Sequence, residues 1–136
     1  MDTPFVGIDL GTTYSSIAIY NPDKKTTEVL QIGADQSIPS CVFFGSTREY
    51  GSTAKKQLEM HPKAVAFDSK RMIGQTFNEI EQQNFNWPFG IKKSADNDID
   101  IVLEYEDTET IVKPLEVSAE VLKYLRIQAQ EKINLK

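Results

Sequence analysis

Apolar residues come in short runs at the start of the chain, scatter through its middle, and return as one helical stripe near the end. Phe5-Val6-Gly7-Ile8 leads into Asp9-Leu10-Gly11-Thr12-Thr13-Tyr14-Ser15, and a second run, Ser16-Ile17-Ala18-Ile19-Tyr20, leads out. That pattern predicts strand, tight turn, strand. Asn21 to Lys25 is a polar turn, and Thr26 to Ile32 a third strand, so residues 4–32 read as an antiparallel meander. Gly33 to Gln36 breaks it. Ile38 to Phe44 reads as one short strand, with Pro39 at its entry or on an edge. Gly45 to Gly51 is loop, with a small hairpin around Ser46-Thr47-Arg48.

Ser52 or Thr53 is placed to cap a helix running to about Met60, with Ala54, Leu58 and Met60 on its inner face. His61-Pro62 ends it. Asp68 or Ser69 could cap one or two turns that Gly74 stops. Asn78 to Asn84 reads as another short helix, and Trp87-Pro88-Phe89 as an aromatic anchor in the core. Ile91, Ile99, Ile101, Leu103 and Tyr105 alternate with polar residues, which predicts a half-buried strand; a turn at Asp107-Thr108 leads to a return strand over 109–113. From Pro114 to about Leu135 runs the longest helix, with Val117, Val121, Leu125 and Ala129 recurring every four residues. The opening meander is the surface this stripe would cover, which makes residues 33–113 an insertion between two parts of one layered unit.

Composition narrows the class. The 136 residues suffice for one domain, and 40% hydrophobic content suffices for a core. A net charge of −5 with scattered basic residues argues against a nucleic-acid groove. No apolar run approaches the length of a membrane span, and Met1-Asp2-Thr3-Pro4 carries no secretory signal pattern. Cys41 is the only cysteine, so an internal disulfide is impossible; it reads as a small core residue. His61, the only histidine, suits a helix C-terminus better than a metal site. Asp96, Asp98 and Asp100 faintly resemble a calcium loop, but Ile101 stands where glycine is demanded, so a solvated acidic loop is the better account. The expectation is an acidic, soluble, cytosolic chain.

The candidate chemistry sits in the first turn. Gly11 lets the backbone bend and approach a ligand, and the amides of Thr12, Thr13 and Tyr14 could form a nest for an anion. Asp9 would repel phosphate unless a cation lay between them, which implies Mg²⁺ carrying waters. An ordinary turn, with Thr making a local hydrogen bond, accounts for the same residues. A Walker loop would end in Gly-Lys-Ser/Thr, and a dinucleotide loop would lead into a helix; neither fits. An aspartyl-nucleophile phosphatase would carry a second acid at position 11. What remains is a strand–turn–strand clamp on a polyphosphate and its metal.

Gly7-Ile8-Asp9-Leu10-Gly11-Thr12-Thr13-Tyr14-Ser15 resembles the first phosphate loop of the seventy-kilodalton heat-shock (DnaK-like) chaperones. The likeness continues in register through Ile38-Pro39-Ser40, Tyr50-Gly51 with Ala54-Lys55, Phe67-Asp68-Ser69-Lys70-Arg71-Met72-Ile73-Gly74, Trp87-Pro88-Phe89 and the last helix. Tyr14 resembles the eukaryotic cytosolic branch. Actin and sugar kinases share the clamp but lack the Lys70-Arg71 segment.

The resemblance implies an α/β fold of the ribonuclease H-like, actin-like ATPase type: a three-stranded antiparallel meander plus a long helix, with an inserted α+β subdomain. Residues 1–38 and 115–136 would form the half-lobe and 39–114 the insertion carrying Lys70. It further implies that Gly11, Thr12, Thr13 and Tyr14 hold the phosphates of ATP or ADP. Asp9 would act on Mg²⁺ through water and could help position K⁺. Lys70, with Thr12, would be catalytic: a fixed ammonium beside developing negative charge stabilises phosphoryl transfer. Arg71 would brace the segment. Implied partners are unfolded polypeptides, J-domain co-chaperones and nucleotide exchange factors, with no nucleic acid and no membrane. The family's second lobe and peptide-binding domain have no counterpart in these residues. The expectations are therefore the N-terminal part of an ATP-dependent chaperone, inactive in hydrolysis by itself, and self-association through an open edge at residues 5–9. The alternatives are a non-catalytic truncated module or another actin-like or sugar-kinase-like ATP-binding protein.

Overall fold

The computed structural model describes residues 4–134. Strands β1 (Phe5–Leu10), β2 (Tyr14–Asn21) and β3 (Thr26–Val29) form the expected antiparallel meander. Its register pairs Asp9 with Ser16 and Leu10 with Ser15, so the turn between β1 and β2 spans only residues 11–13. The stretch read as one strand over 38–44 is two. β4 (Ile38–Pro39) adds to β2 as a fourth strand of the first sheet, with Tyr14 opposite Pro39. β5 (Val42–Phe44) starts a second sheet with β6 (Arg48–Tyr50) and β7 (Val65–Ala66). Alternation cannot reveal this switch, because every residue from Ile38 to Phe44 is buried. A third sheet pairs β8 (Gly90–Lys93), β9 (Ile99–Tyr105) and β10 (Thr108–Val112).

Helix α1 (Gly51–Lys56) is shorter than expected, and neither proposed cap caps it. The Ser52 hydroxyl instead donates to Asp35 at 2.7 Å, and Thr53 donates back to the Tyr50 carbonyl. Met60 lies outside the core at 76% exposure. α2 (Ser69–Met72) follows β7, and α3 (Phe77–Gln82) begins at a capping box between Thr76 and Glu79.

The last helix, α4 (Pro114–Asn134), is the spine. Val117, Val121, Leu125 and Ala129 are all buried, as their spacing requires. They share one apolar cluster with Ile17 of the meander, Val42 of the second sheet and Ile101 of the third. α4 therefore covers more than the meander. Tyr124 stacks on Tyr50 with centroids 4.6 Å apart, and Glu120 accepts from the Tyr50 hydroxyl at 2.7 Å and from Arg48 at 3.1 Å. These contacts lock the second sheet to the helix that also backs the first.

Candidate functional site

The turn joining β1 to β2 is built so that its carbonyls are engaged from below. Ser40 does most of this. Its amide donates to the Thr13 carbonyl at 2.8 Å, and its hydroxyl donates to the Gly11 carbonyl at 2.8 Å. With that proton committed, the buried Ser15 hydroxyl must be the donor in its 2.8 Å bond to Ser40. The Leu10 carbonyl is taken by a third donor, the Lys70 ammonium, at 2.7 Å.

The amides behave oppositely. Among the described residues, nothing accepts a hydrogen bond from the N–H of Thr12 or Thr13. Thr13 is exposed and Thr12 half-buried, so both donors are open to a ligand. With the Gly11 and Thr13 carbonyls tied and two amides unpaired, the turn has the chemistry that an anion nest would need. Gly11 is a steric requirement of that turn: a Cβ there would lie 2.2 Å from the Tyr14 carbonyl oxygen. Tyr14 is half exposed and lines a cleft of about 490 Å³ with Pro39, Ser52, Lys55 and Lys56.

Asp9 sits near the end of β1 with its side chain exposed, and it has no ion-pair partner among the described residues. Among those residues, no group of three or more metal-binding side chains surrounds it. A single free carboxylate beside this turn suits Mg²⁺, which keeps most of its waters and takes few protein ligands. It would not hold a dehydrated ion in a protein cage. The donor set therefore fits the metal expected from the sequence.

Lys70 reaches the turn from α2, which is fixed on both sides. Ser69 and Ser118 of α4 share a buried hydrogen bond of 2.8 Å. On the other side the Trp87 indole N–H donates to the Asp68 carboxylate at 2.9 Å. Asp68 holds the N-cap position of α2, as the sequence allowed, but its side chain makes no capping bond, being spent on Trp87 and Arg71, while Ser69 lies inside the helix and bonds Ser118. Arg71 braces the segment: its guanidinium lies 3.5 Å from Asp68 and 5.5 Å from the centre of the Phe85 ring.

The structure thus brings Gly11, Thr12, Thr13 and Lys70 into one contact region, with Tyr14 and Asp9 flanking the turn. Sequence reasoning missed Ser15 and Ser40 as supports. Ser40 stood in the quoted Ile38-Pro39-Ser40 segment, but only the switch between sheets reveals its three bonds. His61 and Cys41 take no part. His61 packs between Phe43 and Tyr105, with centroids 5.9 and 4.9 Å away. Burial pushes the Cys41 thiol up to about 11, so it stays protonated and inert. The Asp100 carboxylate is bound to Lys113 rather than open to calcium.

A model of one protein family, described as Hsp70 protein, matches residues 5–136. A heat shock 70 kDa protein of Trichophyton rubrum is 37% identical over 93% of this chain and 20% of its own length. A ribosome-associated molecular chaperone of Saccharomyces cerevisiae is 34% identical over 96% of this chain and 21% of its own. The chain spans about a fifth of the length of these curated relatives.

Proposed function

The chain belongs to the Hsp70 family, and from that premise we propose that it supplies the first phosphate-gripping half of a chaperone's ATP site. The family carries the actin-like ATPase fold, and the mixed helices and antiparallel sheets agree with it. At finer grain, residues 1–38 with 115–136 are assigned to a ribonuclease H-like half-lobe and 39–114 to an inserted subdomain. The confinement of the second and third sheets to the stretch after Pro39 supports this division.

One observation carries the reading. The carbonyls of Leu10, Gly11 and Thr13 are engaged and the Thr12 and Thr13 amides free, with the Lys70 ammonium docked at the edge of the turn. In the proposed role these amides, with Gly11 and Tyr14, hold phosphate oxygens of ATP or ADP. Lys70 exchanges its carbonyl partner for a phosphate oxygen, whose negative charge makes the bond to the ammonium the stronger of the two. Asp9 holds waters of Mg²⁺ and could share in placing K⁺; the metal, when bound, neutralises charge between that carboxylate and the phosphates. Lys70 and Thr12 would stabilise charge on the transferring group within a complete chaperone ATP site, where hydrolysis would control the binding of unfolded polypeptides in concert with co-chaperones.

Calorimetric titration of the 136-residue chain with Mg-ATP tests the grip. Heat of binding that Asp9→Ala abolishes is the expected result, without phosphate release. Absence of heat at millimolar nucleotide contradicts it. The exposed outer edge of β1, paired only with β2 among the described residues, adds a second proposal: chains associate there at high concentration.

A further inference from the structure

Asp68 is an unusual residue on which to begin a helix. Its backbone is left-handed, with φ 59° and ψ 21°, although it is not glycine. Aspartate tolerates that region better than most residues, yet the conformation persists only where surrounding contacts over-determine it. Two side chains supply those contacts. The Trp87 indole N–H grips one carboxylate oxygen at 2.9 Å, and the Arg71 Nε lies 3.5 Å from the other. Trp87 is itself held flat between Phe85 and Phe89, stacked at 4.7 and 5.5 Å. At Asp68 the chain has just left β7, and the sharp left-handed step redirects it into α2. Two residues later Lys70 donates to Leu10.

We infer that Asp68 and Trp87 form a positioning pair: the indole–carboxylate bond fixes the left-handed turn that aims Lys70 at the turn between β1 and β2. This rests on the phosphate role proposed for Lys70 and adds what holds that side chain in place. Lysine has a long flexible stem, so a defined ammonium position requires a defined backbone origin. Ser69, bonded to Ser118, anchors the helix against α4, but that bond lies one residue past the turn and does not set the left-handed step. The aromatic stack around Trp87 thereby connects to the segment carrying Lys70, with the indole–carboxylate bond as its hydrogen-bonded link to the left-handed step.

The test uses the intact 136-residue chain, isotopically labelled, with the Leu10 carbonyl and Gly11 amide shifts as readouts. Lys70→Met sets the signature of a lost ammonium contact. Trp87→Phe keeps a stacking ring but removes the N–H. The expected result is that Trp87→Phe and Asp68→Ala both move the Leu10 carbonyl shift toward the Lys70→Met value. Asp68→Asn, which keeps an acceptor oxygen and tolerates the left-handed region, stays near wild type. If Lys70→Met shifts Leu10 but Trp87→Phe and Asp68→Ala do not, the positioning pair is overturned while the role of Lys70 stands. If Ser118→Ala shifts Leu10 and Trp87→Phe does not, the aim belongs to the serine pair and the inference is again overturned. If Lys70→Met itself leaves Leu10 unmoved, the contact on which both readings depend is absent. Should Trp87→Phe fail to fold, the Asp68→Ala and Asp68→Asn pair decides the matter.

Discussion

The Lys70 ammonium donates to the Leu10 carbonyl at 2.7 Å across a sequence separation of 60 residues. That bond joins α2 to the turn between β1 and β2 without any anion.

Gly11→Ala should damage the cradle most. The added methyl would sit 2.2 Å from the Tyr14 carbonyl oxygen, and backbone cannot yield as a flexible side chain can. The expected cost is about 1–3 kcal/mol of stability, typical of overpacking. Denaturant melts give that value, and Mg-ATP heat should vanish in the same variant. An unchanged melt with intact binding would show that the turn relaxes freely.

Ser40→Ala keeps the amide bond to Thr13 but strips the Gly11 carbonyl and the Ser15 hydroxyl of their shared partner. Leaving buried polar groups unpaired should cost about 1–3 kcal/mol. The double variant Ser15→Ala/Ser40→Ala should cost less than the two singles added together, because the two hydroxyls serve one network. Chemical denaturation of wild type, both singles and the double measures the coupling.

Alkaline pH should destabilise the fold in two steps. Burial pushes the Cys41 thiol from 9.0 up to about 11. Burial, aided by the hydrogen bond to Glu120, pushes the Tyr50 hydroxyl from 10.0 up to about 12. In each window the unfolded chain loses its proton first, so stability present below the unfolded value declines as pH rises toward the folded one. Cys41→Ala should flatten the curve between pH 9 and 11, and Tyr50→Phe between pH 10 and 12. Thermal melts from neutral pH upward check both, and a curve unaffected by either substitution would contradict the assignment.

Val6→Lys addresses the open strand. Phe5, Val6 and Ile8 are 70%, 46% and 39% exposed on β1, whose outer edge has no partner among the described residues. A lysine on such an edge opposes pairing with another chain. Sedimentation should show mass rising with concentration for wild type and remaining monomeric for Val6→Lys. A wild-type chain that stays monomeric at high concentration would refute the edge contact.

The chemistry of this chain was legible where it depends on local residue order. Gly11 between an acid and two threonines announced a tight turn between two strands, and the four-residue spacing of Val117, Val121, Leu125 and Ala129 announced the spine. What the sequence concealed depends on where distant segments meet. Buried apolar residues from Ile38 to Phe44 read as one strand because burial is continuous there, although the chain changes sheets at Ser40. Ser52, Thr53, Asp68 and Ser69 looked like helix caps because those residue types favour caps. Their side chains go elsewhere, to Asp35, Tyr50, Trp87 and Ser118, and tertiary bonding overrides the local preference.

Above all, the turn at 11–13, closed by Lys70, is proposed to grip the phosphates of a nucleotide. An amide-resolved titration of the labelled chain with Mg-ATP puts this to the test at the atoms concerned. Saturable downfield shifts of the Thr12 and Thr13 amides are expected, accompanied by loss of the Leu10 carbonyl's ammonium contact and weakened by Lys70→Met. Shifts absent from Thr12 and Thr13, or indifferent to Lys70→Met, would show that the turn is not a phosphate grip.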